Sequence, residues 1–127
     1  MSRHVWPYKG ATVIRERAYT VPGDAPGAGE EVRGGSLTVR LYRGFASDGW
    51  KTGYEARPAF WVEGVSYTPG GKRWRRDCRR HRSEDKARAE FLAMCQHAEG
   101  CGAVLAQEVS YPGGRSAVRA EMGFDGY

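Results

Sequence analysis

Apolar and polar positions alternate with a period of two over much of this chain, and that pattern predicts strands. Residues 11–21 (ATVIRERAYTV) place Val13, Tyr19 and Val21 on one parity. Residues 36–45 (SLTVRLYRGF) set Leu37, Val39 and Leu41 against Thr38, Arg40 and Tyr42. The run 59–67 (AFWVEGVSY), a TPGG turn and the run 72–82 (KRWRRDCRRHR) predict a hairpin. A tight turn centred on Pro69-Gly70, with Gly70 at positive φ, sets Thr68 opposite Gly71. Trp61 then faces Cys78, Glu63 faces Arg76, Val65 faces Trp74 and Tyr67 faces Lys72. This face is largely apolar and carries a Glu63–Arg76 ion pair. The other face sets Arg73, Arg75, Asp77 and Arg79 across from Ser66, Gly64, Val62 and Phe60. A three-residue loop would slip the register by one and exchange the faces. The runs 103–111 and 115–123 predict a last hairpin around Pro112-Gly113-Gly114, with Leu105, Val109, Tyr111, Val118 and Ala120 on one face.

Helical spacing occurs at 84–98 (EDKARAEFLAMCQHA), where Ala87, Phe91, Met94, Cys95 and Ala98 share one side. Ser83 is a suitable N-cap, Glu84 and Asp85 suit the positive helix end, and Gly100 is placed to stop it. Residues 22–35 (PGDAPGAGEEVRGG) lack apolar periodicity and read as a long, exposed, flexible loop. Residues 46–58 are turn-rich, with a short strand near Gly53–Ala56. The sum is an α+β fold in a single domain, 1–127: an antiparallel sheet of about five or six strands with one helix, 84–98, packed on one face.

Two stretches, Gly70-Gly71-Lys72-Arg73-Trp74 and Ser83-Glu84-Asp85-Lys86-Ala87-Arg88-Ala89, lie in the order strand, strand, turn, basic strand, helix. This order over 59–98 resembles the core of AP2-type DNA-binding domains. It is also similar to the last two strands and second helix of double-stranded-RNA-binding domains, although Glu84 and Asp85 stand where that family has a basic helix start. About a third of the chain is covered by the resemblance.

Composition narrows the classes. With 40% hydrophobic and 12% aromatic residues the chain is too apolar to be disordered, and a mean hydropathy of -0.65 excludes a membrane-spanning helix. Three cysteines and no apolar N-terminal stretch point to a reducing, cytoplasmic setting without a disulfide framework. The net charge of +5 is local: Lys72–Arg82 holds seven Lys/Arg and one Asp, or +6, which leaves −1 elsewhere.

Arginine forks suit phosphate oxygens and base edges, and alternate strand residues recur at about 6.6 Å, near a single-strand phosphate step. The candidate binding residues are Arg73, Arg75, Arg79 and His81 in line, with Lys72, Arg76, Arg80, Arg82 and Trp50 beside them. Charged residues also guard edge strands, and arginines also pair with nearby acids. A seven-to-one excess exceeds what edge protection requires. The expected function is a small non-catalytic nucleic-acid-binding module, for DNA or RNA, with the basic strand against phosphates. The alternative is a protein-binding inhibitor of the phage or mobile-element kind, of the anti-CRISPR or anti-restriction class, docking on a protein or nucleoprotein complex.

No phosphate loop, nucleophile elbow or paired carboxylates suggest an enzyme, and no cofactor or membrane partner is expected. Cys78-x2-His81 and Cys95-x-His97-x3-Cys101 have zinc-like spacing. Cys78 and His81, three apart on a strand, would however point to opposite faces. Cys78 and Cys95 each lie roughly 16–18 Å from the strand–helix turn and could approach one another in the core, which fits two small hydrophobes as well as ligands; no metal is expected.

Overall fold

A computed structural model describes residues 11–47 and 56–116. Five strands, β1 (Thr12–Thr20), β2 (Ser36–Ser47), β3 (Ala56–Tyr67), β4 (Arg73–His81) and β5 (Val104–Ser116), form one antiparallel sheet in the order β4-β3-β2-β1-β5. The single helix among the described residues, α1 (Glu84–Gly100), joins β4 to β5 and packs across β2, β3 and β4. The arrangement is α+β.

α1 forms where the spacing predicts it. The Ser83 hydroxyl accepts the Lys86 N–H at 3.4 Å, and Ala87, Phe91, Cys95 and Ala98 are the buried stripe. Gly100 is the last residue of the helix, and the left-handed stop is Gly102, at φ +108°: its N–H donates to the Glu99 carbonyl and the Ala103 N–H donates to the Ala98 carbonyl, both at 3.0 Å. That pair of bonds closes the last turn, and a left-handed residue there favours glycine.

Apolar groups are buried on both faces of the sheet. Under the helix lie Ile14, Tyr19, Val39, Leu41, Phe60 and Val62, with the Arg15 and Arg17 guanidiniums 5.0 and 5.9 Å from the Phe91 ring centre. On the opposite face Val13, Tyr42, Trp61 and Cys78 are fully enclosed. A bulge at Ile14 divides β1 between these cores, so Val13 and Tyr19 do not share a face as simple alternation predicts.

The second core holds charge. Glu63 is completely buried. Its carboxylate accepts the Tyr42 hydroxyl at 2.6 Å and pairs with the Arg76 guanidinium, and Arg40 Nη1 lies 3.7 Å away. Arg40 in turn donates to Glu16 at 2.8 Å. Alternating charges, Glu16, Arg40, Glu63 and Arg76, thus cross four strands. A buried carboxylate is tolerated only when paired and hydrogen-bonded in this manner.

The β3–β4 turn differs from expectation in a compensating way. Gly71, not Gly70, has positive φ (+87°). Thr68 donates its N–H to the Lys72 carbonyl and accepts the Gly71 N–H, both at 2.8 Å, while its hydroxyl accepts the Lys72 N–H at 3.2 Å. The loop proper is therefore three residues, Pro69 to Gly71, which slips the register by one. A bulge at Trp74 adds a second slip, between Tyr67↔Arg73 and Ser66↔Arg75. Two slips restore the expected faces with shifted partners: Glu63 is opposite Cys78, Trp61 opposite Arg80 and Val65 opposite Arg76. The Glu63–Arg76 pair survives as a diagonal contact.

The expected last hairpin is not present. Residues 104–116 continue through Pro112-Gly113-Gly114 as one strand beside β1, with Tyr111–Gly114 bulging opposite Ile14. The turn at 68–72 depends on the Thr68 hydroxyl and carbonyl, and Pro112 follows Tyr111 with no equivalent residue. As an edge strand, β5 also tolerates a proline. Leu105 pairs with Tyr19 and Val109 with Glu16, so they do not share a face. Residues 117–123 and positions 53–55 of the short strand expected near Gly53–Ala56 lie outside the described residues, and Ala56 is the first residue of β3.

Residues 22–35 contain a single 3-10 turn, Glu30–Val32. The segment is closed at its neck by Val21 N–H to Gly35 O at 3.0 Å and Gly34 N–H to Val21 O at 2.7 Å. Gly27 bonds the Cys101 carbonyl at 2.9 Å, and a Cβ on Gly27 would lie 2.7 Å from the Cys101 Cα. Glycine permits that close approach to the end of α1.

Glu63→Ala, which leaves Arg76 buried without its carboxylate, should lower unfolding free energy by about 3–5 kcal/mol in urea denaturation. Exposed Arg75→Ala should stay within about 0.5 kcal/mol of wild type. At the other edge, hydrogen bonds from Arg17 and then Arg15 hold the Glu108 carboxyl below its ordinary range. A depressed folded-state pKa contributes stability that is complete above the unfolded value and lost as pH falls. The stability gap between wild type and Glu108→Gln should therefore be full above about pH 4.3 and close at lower pH.

Candidate functional site

β4 is an edge strand, and its sequence places cations on both of its faces. The basic run is divided by what it touches. Arg76, with 5% of its side chain exposed, belongs to the Glu63 network and is not a surface group. Arg79 donates to Glu90 Oε2 at 2.9 Å, and His81 meets the other oxygen of the same carboxylate. Arg75 Nε lies 3.7 Å from Asp77 with three quarters of its side chain in solvent. Lys72, Arg80 and Arg82 are exposed and form no ion pair with the described residues. Arg73 is exposed as well.

The expected line of Arg73, Arg75, Arg79 and His81 is broken twice. The bulge at Trp74 sets Arg73 opposite Tyr67 and Arg75 opposite Ser66, neighbours on β3 whose side chains leave on opposite faces. The face holding Arg75, Arg79 and His81 is also the one that α1 packs against, because Phe60 and Val62 lie on it. Gly64 and Ser66 are small beneath the helix, and a Cβ on Gly64 would stand 3.6 Å from Met94 Sδ. Trp50 lies outside the described residues.

Two residues gain importance. Trp74, expected opposite Val65 on an apolar face, is 53% exposed at the bulge among Lys72, Arg73 and Arg75. Its even position suggested burial, and the extra residue in the strand overrode it. Glu90, which meets Arg79 and His81 of the basic strand, had one signal in the sequence: an acid flanking the buried stripe of a helix that follows a basic strand.

A cleft of about 540 Å³ opens between α1, the sheet and residues 22–35. Leu37, Val39, Gly64 and Met94 give it apolar walls, and Ser66, Arg75, Asp77, Arg79, Glu90 and His97 are its polar groups. The two arginines and two carboxylates make this lining neutral in sum.

The cysteines do not meet. Cys78 is buried on one face of the sheet and Cys95 on the other, under α1. Among the described residues no three His, Cys, Asp or Glu side chains converge as metal ligands. Burial pushes the Cys78 thiol well above its ordinary value, with the Glu63 carboxylate adding to the shift, and burial also raises Cys95. Cys101 is half-buried, with Sγ 3.7 Å from His97 Nε2. No helix among the described residues is long and apolar enough to cross a membrane. No family model, curated protein or solved structure matches the chain.

With a disulfide reagent such as DTNB, the native protein should react at Cys101, while Cys78 and Cys95 react only on unfolding. Peptide mapping after brief labelling checks this, and rapid modification of Cys78 would contradict the enclosed second core.

Proposed function

We propose that the protein binds nucleic acid, without catalysis, through the β4 edge and the tip of its hairpin. The observation that carries this reading is Trp74, half exposed among Lys72, Arg73 and Arg75. Cations hold phosphates and an exposed aromatic ring stacks on bases, the combination that single-stranded nucleic acid requires. Arg80 and Arg82 extend the positive surface along the strand, on the far side from the hairpin tip. Arg76 takes no part, and Arg79 is held by Glu90.

A second reading uses the same edge differently. β4 has no neighbour beyond it among the described residues, so an acidic extended segment of a protein target could add to the sheet there. This would suit an inhibitor that docks on a larger complex.

Fluorescence anisotropy with labelled single-stranded and duplex DNA and RNA across a salt series separates the readings. If Lys72, Arg73, Arg80 and Arg82 each neutralise a phosphate, log affinity for a single strand should fall with log salt at a slope of about −3. Replacing Lys72, Arg80 and Arg82 by alanine should flatten that slope by about 2. The folded state should be unaffected, since all three are exposed. Wild-type affinity in the triple variant would refute the phosphate reading, and absence of binding to all four nucleic acids would favour the protein-edge reading.

A further inference from the structure

We infer that the cleft between α1, the sheet and residues 22–35 is a pocket for one unpaired nucleobase of a bound single strand. This rests on the phosphate-binding reading above and names what that surface would recognise. A volume of about 540 Å³ lies within the range of small-ligand sites, roughly 300–1,000 Å³. Its position is the first argument. Arg75 and Arg79 belong both to the cleft lining and to the basic strand, so a backbone tracked by β4 passes the opening.

The second argument is the balance of charge. A free phosphate or fatty-acid carboxylate entering the cleft would meet Asp77 and Glu90 beside the arginines, and the attraction would largely cancel. A neutral planar ring with donors and acceptors on its edge does not face that conflict. The Arg75 guanidinium donates, the Asp77 carboxylate accepts and the Ser66 hydroxyl does either, while Arg79 and Glu90 hold each other at the cleft wall. Leu37, Val39 and Met94 supply apolar surface for the ring faces. Cations suited to phosphates stand outside, at Lys72, Arg73, Arg80 and Arg82. A fully paired duplex offers no such base, so the inferred ligand is single-stranded or has an unpaired nucleotide.

The test uses two labelled oligonucleotides of equal length and charge, an ordinary mixed-sequence strand and one with abasic sites throughout. It reads their affinities for the whole protein by anisotropy. Two variants obstruct the cleft independently. Ala93→Phe adds a ring from an exposed position of α1 on the cleft wall, and Gly64→Leu fills the floor beside Met94. Gly64 does not have positive φ, so its backbone admits a side chain. Urea denaturation establishes that each variant is folded, and Ala93→Phe serves alone if Gly64→Leu is not.

Wild type should bind the ordinary strand about tenfold or more tighter than the abasic strand. Ala93→Phe should remove most of that preference while leaving the abasic affinity unchanged. Because Trp74 also stacks bases, the comparison is repeated in Trp74→Ala, where Ala93→Phe should still weaken binding of the ordinary strand. Equal wild-type affinity for the two strands, an ordinary-strand affinity unaffected by the folded cleft variants, or loss of the Ala93→Phe effect in Trp74→Ala overturns the pocket. Failure of wild type to bind either strand overturns the phosphate-binding reading instead.

Discussion

The structure depends on one buried carboxylate. Glu63 has no access to water, and an unpaired charge there would cost several kcal/mol. Arg40 stands directly opposite it on β2, and Arg76 reaches it diagonally from β4. These partners are available only when β2, β3 and β4 keep their relative parity. A one-residue slip of β4 would move Arg76 to the helix face and leave Glu63 without its strongest partner. The three-residue loop at Pro69–Gly71 imposes such a slip, and the bulge at Trp74 reverses it. The bulge is therefore tied to the buried network, and it also brings Trp74 into solvent and parts Arg73 from Arg75. The candidate site owes its shape to a constraint on the other face of the sheet.

Much of the architecture was legible because it follows from periodicity. β2 alternates cleanly, the helix stripe of Ala87, Phe91, Cys95 and Ala98 is as spaced, and Ser83 caps as its side chain suggests. The exceptions share a cause. Bulges at Ile14, at Trp74 and at Tyr111–Gly114 insert residues without changing local composition, so alternation misassigns what lies beyond them. Gly102 and Gly100 are both glycine, and only the bonds to Ala98 and Glu99 reveal which is the left-handed stop. Similar PGG motifs gave a turn at one site and a bulge at the other, distinguished by Thr68.

The site was legible in charge but not in its division. Counting finds seven Lys/Arg in the run Lys72–Arg82, yet their fates depend on acids distant in sequence. Glu63 removes Arg76 from the surface, and Glu90 fastens Arg79 and His81 to the helix. Cys78 and Cys95 illustrate the same limit. Similar rises from the strand–helix turn, over a short stretch of strand and a longer stretch of helix, permitted a meeting, but the sheet itself lies between them.

Edge protection remains the strongest competing account of the cations, and Trp74 weighs against it. Charged side chains along the edge of a sheet deter pairing with other sheets, and among the described residues β4 is such an edge. An exposed indole does the opposite, since it presents apolar surface to any neighbour. A strand shaped only by the need to avoid contact would place a small or charged residue at its bulge. Here the bulge displays the largest side chain of the strand, with Lys72, Arg73 and Arg75 close by in the chain. The neighbouring cleft adds to this argument, because Gly64 and Ser66 leave unfilled a space that larger strand residues would close. Both features are costly for a surface meant to stay bare, and both acquire a use if a base-bearing, negatively charged polymer lies along β4.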